Sequence, residues 1–63
     1  MSTEQQYKKE IMQAALKLGM PMSQKQIDEF LQKNINWFNL YTESNRSWVL
    51  EKKIKAQVFG IIE

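Results

Sequence analysis

Apolar residues recur at helical spacing in the first third of the chain. Four of them are separated by four, four and three residues: Tyr7, Ile11, Ala15 and Leu18. This is one face of a 3.6-residue period. Gly19 ends the pattern, and Pro21 prevents the helix from resuming at once. The spacing therefore predicts an amphipathic helix over residues 4–18.

A second helix is predicted over residues 24–33. Ser23 and Gln26 have the spacing of a capping box, in which the serine hydroxyl accepts from the Gln26 amide and the glutamine side chain reaches back. The predicted buried face consists of Ile27, Phe30 and Leu31. Because the link between the two helices is short, they should form an angled helix-turn-helix unit or a hairpin.

The pattern changes after Asn34. Residues 35–41 alternate between two sets, and aromatic side chains among asparagines favour strand over helix. Ser44-Asn45-Arg46 supplies turn chemistry, and Trp48-Val49-Leu50 can return as a partner strand. We therefore expect a β-hairpin of residues 36–41 and 47–50.

Helical spacing returns at the end of the chain. It is carried by four apolar residues: Leu50, Ile54, Val58 and Ile61. The predicted fold class is α+β, a small winged helix-turn-helix-like domain with two helices, a β-hairpin and a C-terminal helix. The alternative is an all-α three-helix domain. With 63 residues, the chain has room for one domain, residues 1–63.

Composition argues against catalysis. The chain has no cysteine and no histidine, which removes thiolate metal sites and the commonest general base. Its carboxylates are scattered, and it has no phosphate-binding glycine loop. We expect no enzyme activity, no cofactor and no metal. Apolar runs are too short for a membrane span or a signal peptide, so a cytoplasmic protein is expected.

A basic set surrounds the predicted hairpin: Arg46, Lys52, Lys53 and Lys55. In a winged helix the hairpin tip lies along the phosphate backbone or enters the minor groove, so these four residues are predicted contacts with duplex DNA, with an exposed Arg46 at the tip. Ordinary solvated charges beside an apolar helix face are the simpler explanation. The net charge of +2 permits contact with nucleic acid and does not require it.

The second helix would read the DNA bases. Its predicted nucleic-acid contacts are Gln24, Lys25, Gln32 and Lys33. Glutamine can contact adenine, and lysine can contact guanine or phosphate. Asp28 and Glu29 oppose this interpretation because they repel phosphate. A solvated polar face explains the same residues.

Aromatic residues are concentrated in the second half of the chain: Trp37, Phe38, Tyr41, Trp48 and Phe59. They could stack on single-stranded bases, although such residues more often fill a small core. A two-faced hairpin cannot direct all of them inward. Trp37, Tyr41 and Trp48 are therefore candidates for an interface with a protein partner or a second copy of the chain.

The order of these elements resembles the small excisionases and MerR-type winged helix-turn-helix regulators of mobile elements. The resemblance extends over most of the chain from residue 11 and depends on element order and on Asn36, Trp37 and Arg46. It implies a helix in the major groove, a wing on the backbone or minor groove, DNA bending and cooperation with an integrase. The expected function is then a DNA-binding regulator or excision factor of a phage or mobile element.

The first half also resembles the two-helix dimerisation unit of Sin-type repressors and antirepressors. The matching residues are Tyr7, Ile11, Ala14, Ala15, Ser23, Gln26, Ile27, Phe30 and Leu31. In that family the helical hairpins of two chains interlock. The alternative function is thus a non-enzymatic inhibitor or antirepressor that binds a protein, such as a repressor, through an exposed apolar-aromatic face.

Overall fold

The structure, a computed structural model, describes residues 3–61. Its four helices are α1 (Thr3–Lys17), α2 (Gln24–Lys33), α3 (Ile35–Leu40) and α4 (Glu43–Gln57). Residues 3–61 contain no strand. The predicted α+β winged fold is therefore wrong, because residues 36–41 and 47–50 form no hairpin and lie almost entirely in α3 and α4. The all-α alternative is confirmed, with four helices instead of three.

The helical period continues through the segment for which a hairpin is predicted. Arg46, Leu50 and Ile54 are the buried residues of α4, and they lie four residues apart. When Arg46 is included, the buried face of α4 begins a full helical turn before Leu50. Ser44-Asn45-Arg46 consequently belongs to the first turn of a helix. The low helix propensity of asparagine, a few tenths of a kcal/mol, is a weak prior that tertiary packing overrides.

The prediction for α1 is confirmed to within one residue at each end. Gly19 has φ +72°, the left-handed conformation that glycine adopts without a Cβ penalty. Its amide donates to the Leu16 carbonyl at 3.0 Å, and the Met20 amide donates to the Ala15 carbonyl at 3.0 Å. These two bonds form a Schellman motif that satisfies carbonyls in the last turn of α1.

The predicted bounds, cap and buried face of α2 are confirmed as well. The Gln26 amide donates to Ser23 Oγ at 3.2 Å, and the Ser23 amide donates to Gln26 Oε1 at 2.9 Å. At the other end, buried Asn34 donates through Nδ2 to the Phe30 carbonyl and to Gln57 Oε1. Asn34 therefore fixes the junction of α2 and α3 against the end of α4.

The core is organised around Phe38 of α3. Its ring centroid lies 4.9 Å from that of Tyr7, 6.4 Å from that of Phe30 and 4.9 Å from that of Trp37. The remaining buried apolar residues of this cluster are Ile11, Ala14, Ile27, Leu31, Leu50 and Ile54. Through these contacts α1 packs against both α4 and α2. Within residues 3–61, none of the helices has the length and apolar character needed to cross a membrane.

Candidate functional site

Arg46 is buried, contrary to its predicted exposure at a hairpin tip. Only 5% of its surface is accessible. Its guanidinium lies over the rings of Tyr7 and Phe38, with the central carbon 4.9 Å and 5.5 Å from the ring centroids. A side chain in this position cannot reach a DNA backbone. The predicted exposure of Arg46 at a hairpin tip is therefore wrong, and the predicted nucleic-acid contact loses the hairpin on which it depended.

The Arg46 guanidinium joins three helices. Nε donates to Glu10 Oε1 at 3.0 Å and Nη2 donates to Glu10 Oε2 at 2.8 Å, a bidentate ion pair with α1. Nη1 donates to the Phe38 carbonyl at 2.9 Å and to the Tyr41 carbonyl, both at the end of α3. A cation there also suits the negative end of the helix dipole. The arrangement holds a helix of only six residues in place.

The Arg46 charge is fixed across the whole physiological range. The hydrogen bond to Glu10 raises the pKa of Arg46 above its ordinary value, and desolvation by burial opposes this shift less strongly. A raised folded-state pKa contributes stability that is fully present below the unfolded pKa and is lost only as pH rises through the folded pKa. The group therefore acts as a structural cation and does not titrate near neutral pH.

Glu10 is absent from the residues predicted to matter, although the sequence contains a signal for it. It follows Tyr7 by three residues and precedes Ala14 by four, so it lies on the apolar face of α1. An acidic residue on such a face requires a buried partner. The helical register that places Arg46 with Leu50 and Ile54 supplies that partner.

The predicted reading face on α2 is exposed but carries mixed charge. Gln24, Lys25, Gln32 and Lys33 all lie at the surface. Glu29 lies four residues from each lysine and hence between them on the same face. Asp28 pairs with Lys8 of α1, with Lys8 Nζ 3.1 Å from Asp28 Oδ1. The face offers two cations interrupted by a carboxylate.

The lysines of α4 do not join Arg46 in a basic cluster. At 100° per residue, Lys52 and Lys55 project about 120° and about 180° away from Arg46. Lys53 lies beside α3, where its Nζ is 4.9 Å from the ring centroid of Trp37. Of the predicted basic set, Lys52 is exposed, Lys53 and Lys55 are half-buried, and Arg46 is buried. Lys53 projects to nearly the same side as Arg46, but both cations lie over aromatic rings, and Lys52 and Lys55 point elsewhere.

Among the three predicted interface aromatics, Trp48 is the most exposed. Trp37 is half-buried against Phe38, and Tyr41 lies 6.1 Å from Trp37 between ring centroids, with half its surface accessible. Trp48 exposes 69% of its surface. It projects about 160° away from Arg46, and Lys52 follows it one turn later. We call Trp48 and Lys52 the outer face of α4.

A groove of about 330 Å³ lies between α1 and α4, next to the outer face. Its lining residues are Glu10, Gln13, Ala14, Lys17, Glu43, Ser47, Leu50 and Glu51. Ala14 and Leu50 are buried apolar residues. Among residues 3–61, no group of three or more acidic side chains is arranged to hold a metal ion. The groove is therefore a concave surface with an apolar base and a polar rim.

The comparisons with known proteins give no assignment: no family model, no curated protein and no solved structure matches the chain. The Sin-type resemblance implies that the helical hairpins of two chains interlock. The structure does bury Tyr7, Ile11, Phe30 and Leu31 within a single chain, in one cluster with Phe38 and residues of α4. These residues already have intramolecular partners.

Proposed function

We propose that this chain is a small, non-enzymatic protein-binding domain of the cytoplasm, and that the outer face of α4 is its contact surface. The observation that carries the proposal is the 69% exposure of Trp48. Tryptophan is among the residues that dominate binding energy at protein interfaces. In a chain of 63 residues with a small core, a tryptophan left at the surface is apolar area that contributes little to the fold.

The surroundings of Trp48 support protein binding over duplex DNA binding. An indole beside a lysine combines an apolar anchor with a charged rim, as protein interfaces do. Duplex recognition relies instead on several cations aligned with phosphates. Here Arg46 is buried, and Glu29 separates the two lysines of α2.

A photo-crosslinking experiment tests the proposal and captures the partner directly. Trp48 is replaced by benzoylphenylalanine, an aromatic photo-crosslinker of similar size, in cells that produce the protein. The same substitution at Leu16 is the matched control, because Leu16 is 61% exposed and lies on α1, outside the groove. We expect protease-sensitive adducts from position 48 that are absent from position 16.

A duplex DNA titration at low salt completes the test. The proposal predicts that Trp48→Ser leaves any weak binding to the duplex unchanged. Either of two results would overturn the proposal. One is nuclease-sensitive adducts from position 48. The other is duplex binding that is abolished by Lys25→Ala and Lys33→Ala, with no protein adduct from position 48. Either result would support the DNA-binding regulator instead.

A further inference from the structure

We propose that the partner of the outer face is a second copy of this chain. In this dimer, Trp48 of each copy enters the groove between α1 and α4 of the other. The inference rests on the proposed function and names the partner. It differs from the interlocked hairpins implied by the Sin-type resemblance, because it uses α4 and leaves the α1–α2 contact intact.

The groove has the size and base that an indole requires. Its volume of about 330 Å³ is at the lower end of the range for small-molecule sites. Ala14 and Leu50 supply apolar atoms beneath it, and Ser47 supplies a hydroxyl at its rim. An indole placed there would exchange water for apolar contact while its N–H remained near polar groups, the arrangement that tryptophan favours at interfaces.

The charges of the two surfaces are opposite. Of the three carboxylates that line the groove, Glu10 is neutralised by Arg46. Glu43 and Glu51 remain, against the single cation Lys17. The outer face supplies Lys52 next to Trp48. Electrostatic complementarity of this kind favours a fixed orientation and disfavours other partners.

The two surfaces are neighbours on one helix. Ser47 and Glu51 of the groove directly precede Trp48 and Lys52 of the outer face in the sequence. A two-fold dimer needs a self-complementary patch in which residue i contacts residue j and j contacts i. A standard interface covers about 800 Å² on each partner, under a fifth of the 4493 Å² surface of this chain. In a two-fold dimer, each Trp48 would enter the groove of the other copy, and the two contacts would be identical by symmetry.

Sedimentation equilibrium over a range of protein concentrations tests the dimer. We expect reversible dimerisation of the wild-type chain. Trp48→Ser should weaken it roughly 30-fold or more, the effect of removing an interface hot spot. Leu16→Ser, the matched exposed control, should leave the dissociation constant within a factor of about two. A monomeric wild-type chain at millimolar concentration would overturn the inference.

A charge exchange gives a second and more specific test. Lys52→Glu and Glu51→Lys should each weaken the homodimer through like charges. Mixed in equal amounts, the two variants should form a heterodimer of nearly wild-type affinity. At one contact, native Lys52 of one variant meets native Glu51 of the other. At the second contact, both residues are substituted, so the charges are reversed and still opposite. A mixture no tighter than the separate variants would contradict the proposed pairing.

The outcome for the inference is distinguishable from the outcome for the proposed function. An adduct from position 48 at twice the mass of the chain supports both. A protein adduct of any other mass retains the protein-binding function and rejects the second copy as the partner. Nuclease-sensitive adducts alone reject both.

Discussion

The inner and outer sides of α4 are built from opposite kinds of side chain. On the inner side, the cation of Arg46 is 5% exposed and makes a bidentate ion pair, two bonds to carbonyls and two ring contacts. On the outer side, two residues later, the indole of Trp48 is 69% exposed. A buried charge and an exposed aromatic thus share a single helical turn.

This difference shows that helical position, more than residue type, decides what each side chain does here. Arg46 is tolerated inside because Glu10 and the end of α3 accept four hydrogen bonds from it, which offsets the cost of desolvation. Trp48 lies outside the core because it projects about 160° away from Arg46 on the same helix, and 69% of its surface is accessible. The first arrangement serves the fold, and the second leaves a surface for binding.

The largest expected effect is the loss of the buried ion pair. Arg46→Ala leaves the Glu10 carboxylate buried without a partner, a change that costs about 3–5 kcal/mol. The total stability expected for 63 residues is roughly 3–9 kcal/mol. We therefore expect most of the helical circular dichroism signal to be lost at room temperature, or a strongly reduced melting temperature.

A double substitution separates the ion pair from general disruption. Arg46→Met combined with Glu10→Leu replaces two charges by apolar groups of similar length, which is often nearly neutral. The double variant should recover most of the lost stability, except for the bonds to the Phe38 and Tyr41 carbonyls. If the free energy of unfolding of Arg46→Ala, measured in urea, lies within about 1 kcal/mol of the wild-type value, the Arg46–Glu10 ion pair is not a major contributor to the stability of the fold.

A smaller loss of stability is expected at the neutral hydrogen-bonded pair Asn34 and Gln57, at the other end of α4. Asn34 exchanges two hydrogen bonds with Gln57, of 2.8 Å and 3.2 Å, and is 7% exposed. Asn34→Ala should cost about 1–2 kcal/mol, since Gln57 is exposed and can bond to water instead. Urea unfolding measures it, with the exposed Gln32→Ala as a control expected within about 0.5 kcal/mol. If Asn34→Ala lowers the free energy of unfolding as much as Arg46→Ala does, then the charge of the Arg46–Glu10 pair does not explain the larger effect expected there.

The sequence was sufficient for the elements whose signals are local. The period of α1, the Schellman glycine and the Ser23–Gln26 capping box all act within a few residues, and the helices they predict are confirmed. The prediction of a hairpin is wrong because it is based on the alternation over residues 35–41, which suggests the two-residue period of a strand. Spacings of three and four also occur there, from Ile35 to Phe38 and from Trp37 to Tyr41.

The candidate site depends on contacts between residues far apart in the sequence. Arg46 and Glu10 are separated by 36 residues, so the local sequence pattern around one gives no sign that the other is its buried partner. Trp48 is a predicted interface residue, and its exposure follows from the register of α4, in which Arg46, Leu50 and Ile54 are buried. The groove between α1 and α4 has no sequence signal, because it is formed by the packing of two helices.

The smallest effect on the fold is expected on the outer side of α4. Trp48→Ser removes an exposed indole, and serine and tryptophan have similar helix propensities. The free energy of unfolding should change by no more than about 0.5 kcal/mol at protein concentrations where the wild type is monomeric. Association stabilises the folded state by mass action, so the wild-type melting temperature should rise with concentration.

Thermal melts of both proteins across a concentration series measure this contrast. The Trp48→Ser melting temperature should stay constant, and the Leu16→Ser control should rise in parallel with the wild type. Unfolding of Trp48→Ser at every concentration would show that the indole belongs to the core. The outer side of α4 would then stabilise the monomer as the inner side does, and the division between a folding side and a binding side would not hold.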